Sequence, residues 1–233
     1  MRRQAATSCG AISGVKMPVT IHHGRLGARE YRVLRPAVPI RGVALRDSVD
    51  WYAGLCTESS ELVRVAALWH LAARSRHTVV HIPLRLDPQA LADSEKRFPG
   101  QPLDLLLVHH SLQFPASRWK QLRARLDRGR SHLADTGIDM RAELEDYSGH
   151  SKHGYDGNEV LDLQVHANTL VIAGSELTLF AGAYPFLDVG LCALRVSGHD
   201  SGPEFYSNTL HPLDWLLRHE SGKGIYLLHE LVP

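Results

Sequence analysis

Leu161-Asp162-Leu163-Gln164-Val165-His166-Ala167-Asn168 alternates apolar and polar residues and runs into Thr169-Leu170-Val171-Ile172-Ala173-Gly174. Side chains of a β-strand point to opposite faces with a period of two. Read as one strand, the first eight residues put Asp162, Gln164, His166 and Asn168 on one face and Leu161, Leu163, Val165 and Ala167 on the other. The apolar run that follows continues this element and stops at Gly174. No other stretch brings so many polar groups into one predicted face, so it is the leading candidate site.

Working outward, the middle of the chain predicts helix, strand, helix, strand, helix. Apolar residues recur at helical spacing over 59–74 (Leu62, Val63, Ala66, Trp69, Ala73), with Ser59 as the expected cap. Val79, Val80 and Ile82 mark a strand over 77–84. Asp87-Pro88 reads as a cap followed by proline at the first helical position, opening a helix to about residue 98. Residues 103–110 form an apolar run broken only by Asp104, a buried strand. Pro115 opens a helix to about 127, with Trp119, Leu122 and Leu126 inward. Such alternation implies an α/β layer structure with parallel strands joined by right-handed crossovers. Ligands of such sheets bind at the carboxyl ends of the strands, where Arg85 and His109-His110-Ser111 fall. No Gly-x-Ser-x-Gly elbow accompanies Ser111.

The flanks are less regular. Residues 1–45 read as an irregular N-terminal arm, with Pro36 and Pro39 in its second half and a His22-His23 pair expected to be solvated. Residues 46–233 read as a single α/β domain, with a sub-boundary near 131–159. The polar stretch 145–159 predicts a long surface loop. It holds metal-capable His150, His153, Asp156 and Glu159, but with 15 histidines along the chain such clustering arises easily by chance, and neither a metal nor a cofactor is expected. Further on, the pattern predicts strands over 176–181 and 191–197 around a turn at 182–185, a helix over 210–219 and a last strand over 225–228.

The chain has 233 residues, is 44% hydrophobic and carries a net charge of +1, so it can bury a core and no bulk charge drives it onto nucleic acid or membranes. The three cysteines form no C-x-x-C pair, which points to a reducing compartment. No run reaches the length of a membrane span and the N-terminal residues are too polar for a signal-peptide core. A cytoplasmic protein without membrane contact is expected. Arg118, Lys120, Arg123, Arg125, Arg128 and Arg130 concentrate positive charge on and after one predicted helix, a candidate track for a nucleic-acid backbone.

The segment His166 to Gly174, followed by Leu179-Phe180-Ala181-Gly182-Ala183, resembles the active-site motif of the phospholipase D superfamily. That motif reads His-x-Lys, four residues, Asp-Gly, then a strand ending in Gly-Ser-x-Asn. Residues 133–141 look like the unit preceding the motif in that family, and the region around Trp215 looks like its closing helix. The resemblance implies a layered α/β/α arrangement, a mixed sheet flanked by helices. It also implies that His166 occupies the place of a nucleophile on phosphorus. Here Asn168 stands for the lysine, Ala173 for the aspartate, and Ala183 and Pro185 for the small hydroxyl and amide residues. The charge that stabilises the phosphoryl oxygens is therefore gone.

The resemblance thus implies a non-catalytic protein binding a phosphate-bearing ligand or nucleic acid, or a regulatory subunit. Asn168, Gln164 and Asp162 are its expected ligand-binding groups, joined by His150 and Lys152 of the surface loop. One alternative is an active phosphodiesterase or nuclease in which His166 is completed by His150, Lys152 or a second copy in a homodimer. The other is a protein-binding module, such as an immunity or defence-complex subunit.

Overall fold

The computed structural model describes residues 15–138, 159–196, 209–212 and 223–229. They form a mixed α/β fold: eleven strands in one branched sheet, with helices packed on it. The strand order along the main path is β10-β11-β4-β3-β6-β5-β2-β1-β7, where β1 is Lys16–Leu26, β2 Arg29–Pro36, β3 Val43–Asp47, β4 Trp51–Cys56, β5 Thr78–Ile82, β6 Gln101–His109, β7 Arg130–Asp135, β10 Thr209–Pro212 and β11 Gly224–His229. A branch, β9 (Thr169–Gly174) and β8 (Asp162–Val165), joins through β6.

Strand β6 is the hub. Residues 105–108 pair with β5 antiparallel and also with β9 in parallel, so β5 and β9 lie on opposite edges of β6. Residues 101–103 pair with β3. The expected parallel crossover between β5 and β6 is therefore replaced by an antiparallel pair. The helix between them explains this. α2 (Pro88–Arg97) buries little more than Ala90 and Ser94 and packs against β3 and β4. It turns the chain back instead of carrying it over the sheet. Its start matches the sequence: Asp87 accepts from the Gln89 and Ala90 amides, and Pro88 needs no partner there. Its C-terminal half is held by Arg46, whose buried guanidinium donates to Leu91 O, Ser94 Oγ and Gly100 O.

The sheet separates two apolar layers. On one face lie α1 (Ser59–Arg74) and a long helix, α4 (Glu176–Val196), packed on each other and on Val80, Ile82, Leu105, Leu107, Leu170 and Ile172. On the other, Val33, Val79, Leu106, Val108 and Val171 pack against Trp119 and Leu122 of the short helix α3 (Trp119–Arg123). α1 matches its predicted span, but its cap position is Glu58, one residue before the expected Ser59.

Three expectations fail here for identifiable reasons. The supposed N-terminal arm supplies β1, β2 and most of β3. Its period-two signal is obscured because Met17 and Val19 enter the first layer whereas Leu26 enters the second, so the buried face of β1 changes along its length. α4 runs through the two predicted strands and the turn between them. Pro185 and the small residues before it look like a break, but they lie inside a helix buried against α1. Gly182 sits so close to the Trp69 ring that an added Cβ would collide with it, so the small residue serves helix contact and not a turn. Residues 209–212 are a strand and not the start of a helix; Trp215 lies outside the described residues. Among the described residues, no helix is long and apolar enough to cross a membrane.

Candidate functional site

The opening stretch is not one strand. β8 ends at Val165, and His166 and Thr169 exchange both backbone hydrogen bonds, each 3.0 Å, across the two-residue loop Ala167-Asn168. Both loop residues have positive φ, 51° and 59°. This is the type I′ geometry that matches the twist of a β-hairpin. His166 and Asn168 are therefore at the corners of a turn, not on one strand face with Asp162 and Gln164. The last two do share a face, both exposed, with Gln164 Nε2 donating to Asp162 Oδ2 at 2.9 Å. His166 is half-buried, and the Asn168 side chain accepts from Gln101 Nε2 at 2.6 Å. Asparagine visits this left-handed conformation readily, whereas alanine adopts it at a cost of about 1–2 kcal/mol. Replacing Ala167 with glycine is expected to raise stability by about 0.5–1 kcal/mol, read by urea denaturation; a loss would contradict the turn assignment. His150 and Lys152 lie outside the described residues.

The basic cluster is also redistributed. α3 ends at Arg123 and not near residue 127. Arg118, Lys120, Arg125, Arg128 and Arg130 are exposed but are spread over a 3-10 turn, α3, the loop after it and the start of β7. They do not form one helical stripe. Arg118 Nε donates to Gln121 and Arg125 Nη1 to the Arg25 carbonyl. Arg123 is the exception: it turns inward.

It turns toward a polar row that crosses the second face of the sheet. Period two along each strand sets Arg35 beside Val33, His81 beside Val79 and Asp104 beside Leu106. One step beyond the Leu34–Val80 pair, Arg35 comes level with His81. Asp104 is in register with Thr169 of β9. Arg85 reaches in from the 3-10 turn after β5, and Arg123 from α3. Trp119 roofs the row, its indole N–H donating to Thr169 Oγ1 at 3.1 Å, its ring edge-on to His81 at 4.8 Å and its face beneath Arg123.

Asp104 is the only anion among these groups. Its side chain is 5% exposed and accepts from the Arg85 amide at 3.1 Å and from Arg85 Nη2 at 2.8 Å. Arg123 Nη1 lies 3.6 Å from Oδ2. Burial pushes this carboxyl up, but His81 and the two Arg85 donors outweigh it and hold it down at about 2. It is ionised throughout the neutral range.

His81 is equally well defined. Arg35 Nε donates to its Nδ1 at 2.9 Å. An arginine nitrogen is always a donor, so Nδ1 carries no proton and the neutral ring carries its hydrogen on Nε2. Burial lowers the His81 pKa, with Arg35 and Arg123 adding to it and Asp104 opposing, so the neutral ring dominates. Among the described residues, buried Nε2 has no acceptor within hydrogen-bond range, Asp104 Oδ2 being 3.8 Å away, and Arg85 Nε is likewise buried without a partner.

Among the described residues the row therefore sets three guanidinium groups against one carboxylate, and two of its buried N–H donors have no acceptor within hydrogen-bond range. Buried unpaired donors cost about 1–3 kcal/mol each, and excess buried charge costs more. Arg85 and Arg123 remain 28% and 30% exposed, so solvent reaches the row from their side. The groups present can hold an oxyanion. They offer no free base, because Asp104 is tied up and strongly acidic. The sequence pattern marks Arg85 only by its place at a strand's carboxyl end and does not mark Arg35, His81 or Asp104 as site residues. The available signal was Asp104 interrupting an apolar strand, with His81 doing the same in β5, since charged side chains are buried this deeply only when paired. Comparison of the chain with protein-family models, curated proteins and solved structures gives no match.

Proposed function

We propose that the Asp104 row of this protein binds a phosphate-bearing ligand without acting on it, held by Arg85, Arg123 and His81 with Asp104 as the organising carboxylate. The observation that carries this is the pair of buried donors, His81 Nε2 and Arg85 Nε, which have no acceptor among the described residues, beside a surplus of positive charge in the row. A phosphate group supplies several strong acceptor oxygens and two charges, which is the complement of that arrangement. The ligand class agrees with what the phospholipase D resemblance implies. The supporting residues differ, since His166 and Asn168 sit in a hairpin turn. Exposed Arg118 and Lys120 lie beside Arg123 in sequence and would extend the contact if the phosphate belongs to a nucleic acid.

Calorimetric titration with pyrophosphate and with a short oligonucleotide tests this reading. Saturable binding is expected for the wild type, weakened about tenfold, or ~1.4 kcal/mol, by Arg123→Gln. Arg123 is 30% exposed and lies 3.6 Å from Asp104, outside hydrogen-bond range, so the variant is expected to stay folded, which its melting curve checks. Binding of the oligonucleotide alone, with a steep salt dependence, would assign the phosphate to nucleic acid. Folded wild-type protein that takes up neither ligand contradicts the proposal.

A further inference from the structure

We propose that Ser111 and His109 form a nucleophile–base pair able to open carboxylic esters, a site separate from the Asp104 row and independent of it. β6 ends at His109, level with Gly174 at the end of β9, its parallel neighbour. The chain then enters a 3-10 turn, His110–Leu112, closed by Gln113 in the left-handed region. On a continued strand His109 and Ser111, two residues apart, would share a face with their side chains about 6–7 Å apart; the turn instead folds the Ser111 hydroxyl back onto the His109 ring. The distance from His109 Nδ1 to Ser111 Oγ is 2.8 Å.

Proton positions follow from the second contact. The Ser111 amide donates to the same Nδ1 at 3.2 Å. A backbone N–H can only donate, so Nδ1 is unprotonated and the 2.8 Å contact has the serine O–H as donor. A serine hydroxyl aimed at an unprotonated ring nitrogen is the starting arrangement of general-base-assisted nucleophilic attack. Burial lowers the His109 pKa, His110, Arg76 and His77 act in the same sense and Glu176 opposes; the ring is a free base at neutral pH. The histidine is 3% exposed and held, whereas Ser111 is exposed and open to substrate. Both sit at the carboxyl ends of a parallel strand pair, the side of a parallel sheet where ligands bind.

The step balances without any further reactant. Ser111 Oγ forms a bond to the ester carbonyl carbon as its proton passes to His109 Nδ1. The C–O bond to the alcohol then breaks, and Nδ1 returns the proton to the leaving oxygen. Water, deprotonated by the same nitrogen, releases the acid and restores the serine. Protonation of Nδ1 has one more consequence. The ring nitrogen can no longer accept from the Ser111 amide, so that N–H is freed on the same residue that carries the oxyanion, where such donors stabilise the intermediate.

A capping role alone would explain the amide contact but needs no serine, and the experiment separates the two. The full-length protein is treated with a fluorophosphonate probe and with p-nitrophenyl acetate. A covalent adduct mapped to Ser111 is expected, with Ser111→Ala losing the adduct and about a hundredfold of the protein-dependent hydrolysis. His109→Asn keeps a side-chain acceptor for the amide and is expected to stay folded but lose labelling to the same extent. An unlabelled wild type, an adduct on another residue, or Ser111→Ala hydrolysing at the wild-type rate overturns the proposal.

Discussion

Replacing Asp104 with alanine is expected to destabilise the fold by about 3–5 kcal/mol, the usual cost of leaving buried charge uncompensated. For a chain of this size that lowers the melting temperature by roughly 6–20 °C. The variant keeps Arg35, Arg85 and Arg123 facing one another around neutral His81, with no anion between them. The same carboxylate sets an acid limit. Its pKa falls from the ordinary 3.8 to about 2 on folding, so its contribution is complete above pH 4 and is lost as the pH falls from about 4 to 2. Urea denaturation of both proteins across that window measures this: the wild type loses its advantage over Asp104→Ala as the acid end is approached. The row as a binding site predicts one more difference. Phosphate or sulfate should raise the melting temperature of Asp104→Ala more than that of the wild type, because the anion takes the place of the missing carboxylate. Equal stability of the two proteins at neutral pH would remove the electrostatic account of the row.

Trp119→Ala is the other large effect. The indole is fully buried, and truncating a tryptophan in such a site costs about 3–5 kcal/mol. It also takes the roof off the row, with the donor to Thr169, the ring edge against His81 and the face under Arg123 lost together. Stability and phosphate affinity should therefore fall in parallel. Trp119→Phe separates the contributions: it keeps a ring over His81 and loses the indole N–H, so it should retain most of the affinity at an intermediate stability. Denaturant melts paired with pyrophosphate titrations give both numbers, and an alanine variant that binds as tightly as wild type would detach the roof from the site.

The sequence was most informative where one local signal governs one element. α1 and α2 follow apolar spacing and a cap-proline start, and β5, β6, β9 and β11 follow apolar runs. It misled where tertiary contacts outweigh local preference. Pro185 and Gly182 read as a turn until Trp69 of the neighbouring helix is known, and β1 hides its pattern by changing layers. The candidate site suffered most from a single misplaced boundary. Alternation carried from Leu161 to Asn168 makes a polar strand face, whereas two positive-φ residues, Ala167 and Asn168, convert its end into a hairpin turn. Asn168 was a turn signal in plain view; alanine before it concealed the turn. The Asp104 row was legible only as two polar residues inside apolar strands. Its other members come from β2, a 3-10 turn and α3, and no spacing along the chain announces that they meet.

Diffraction from crystals soaked in phosphate tests the central claim most directly. An anion is expected within hydrogen-bond distance of His81 Nε2 and Arg85 Nε, with the Arg123 guanidinium turned toward it. A row that stays closed on Asp104, with water alone beside those two donors at saturating phosphate, would contradict it.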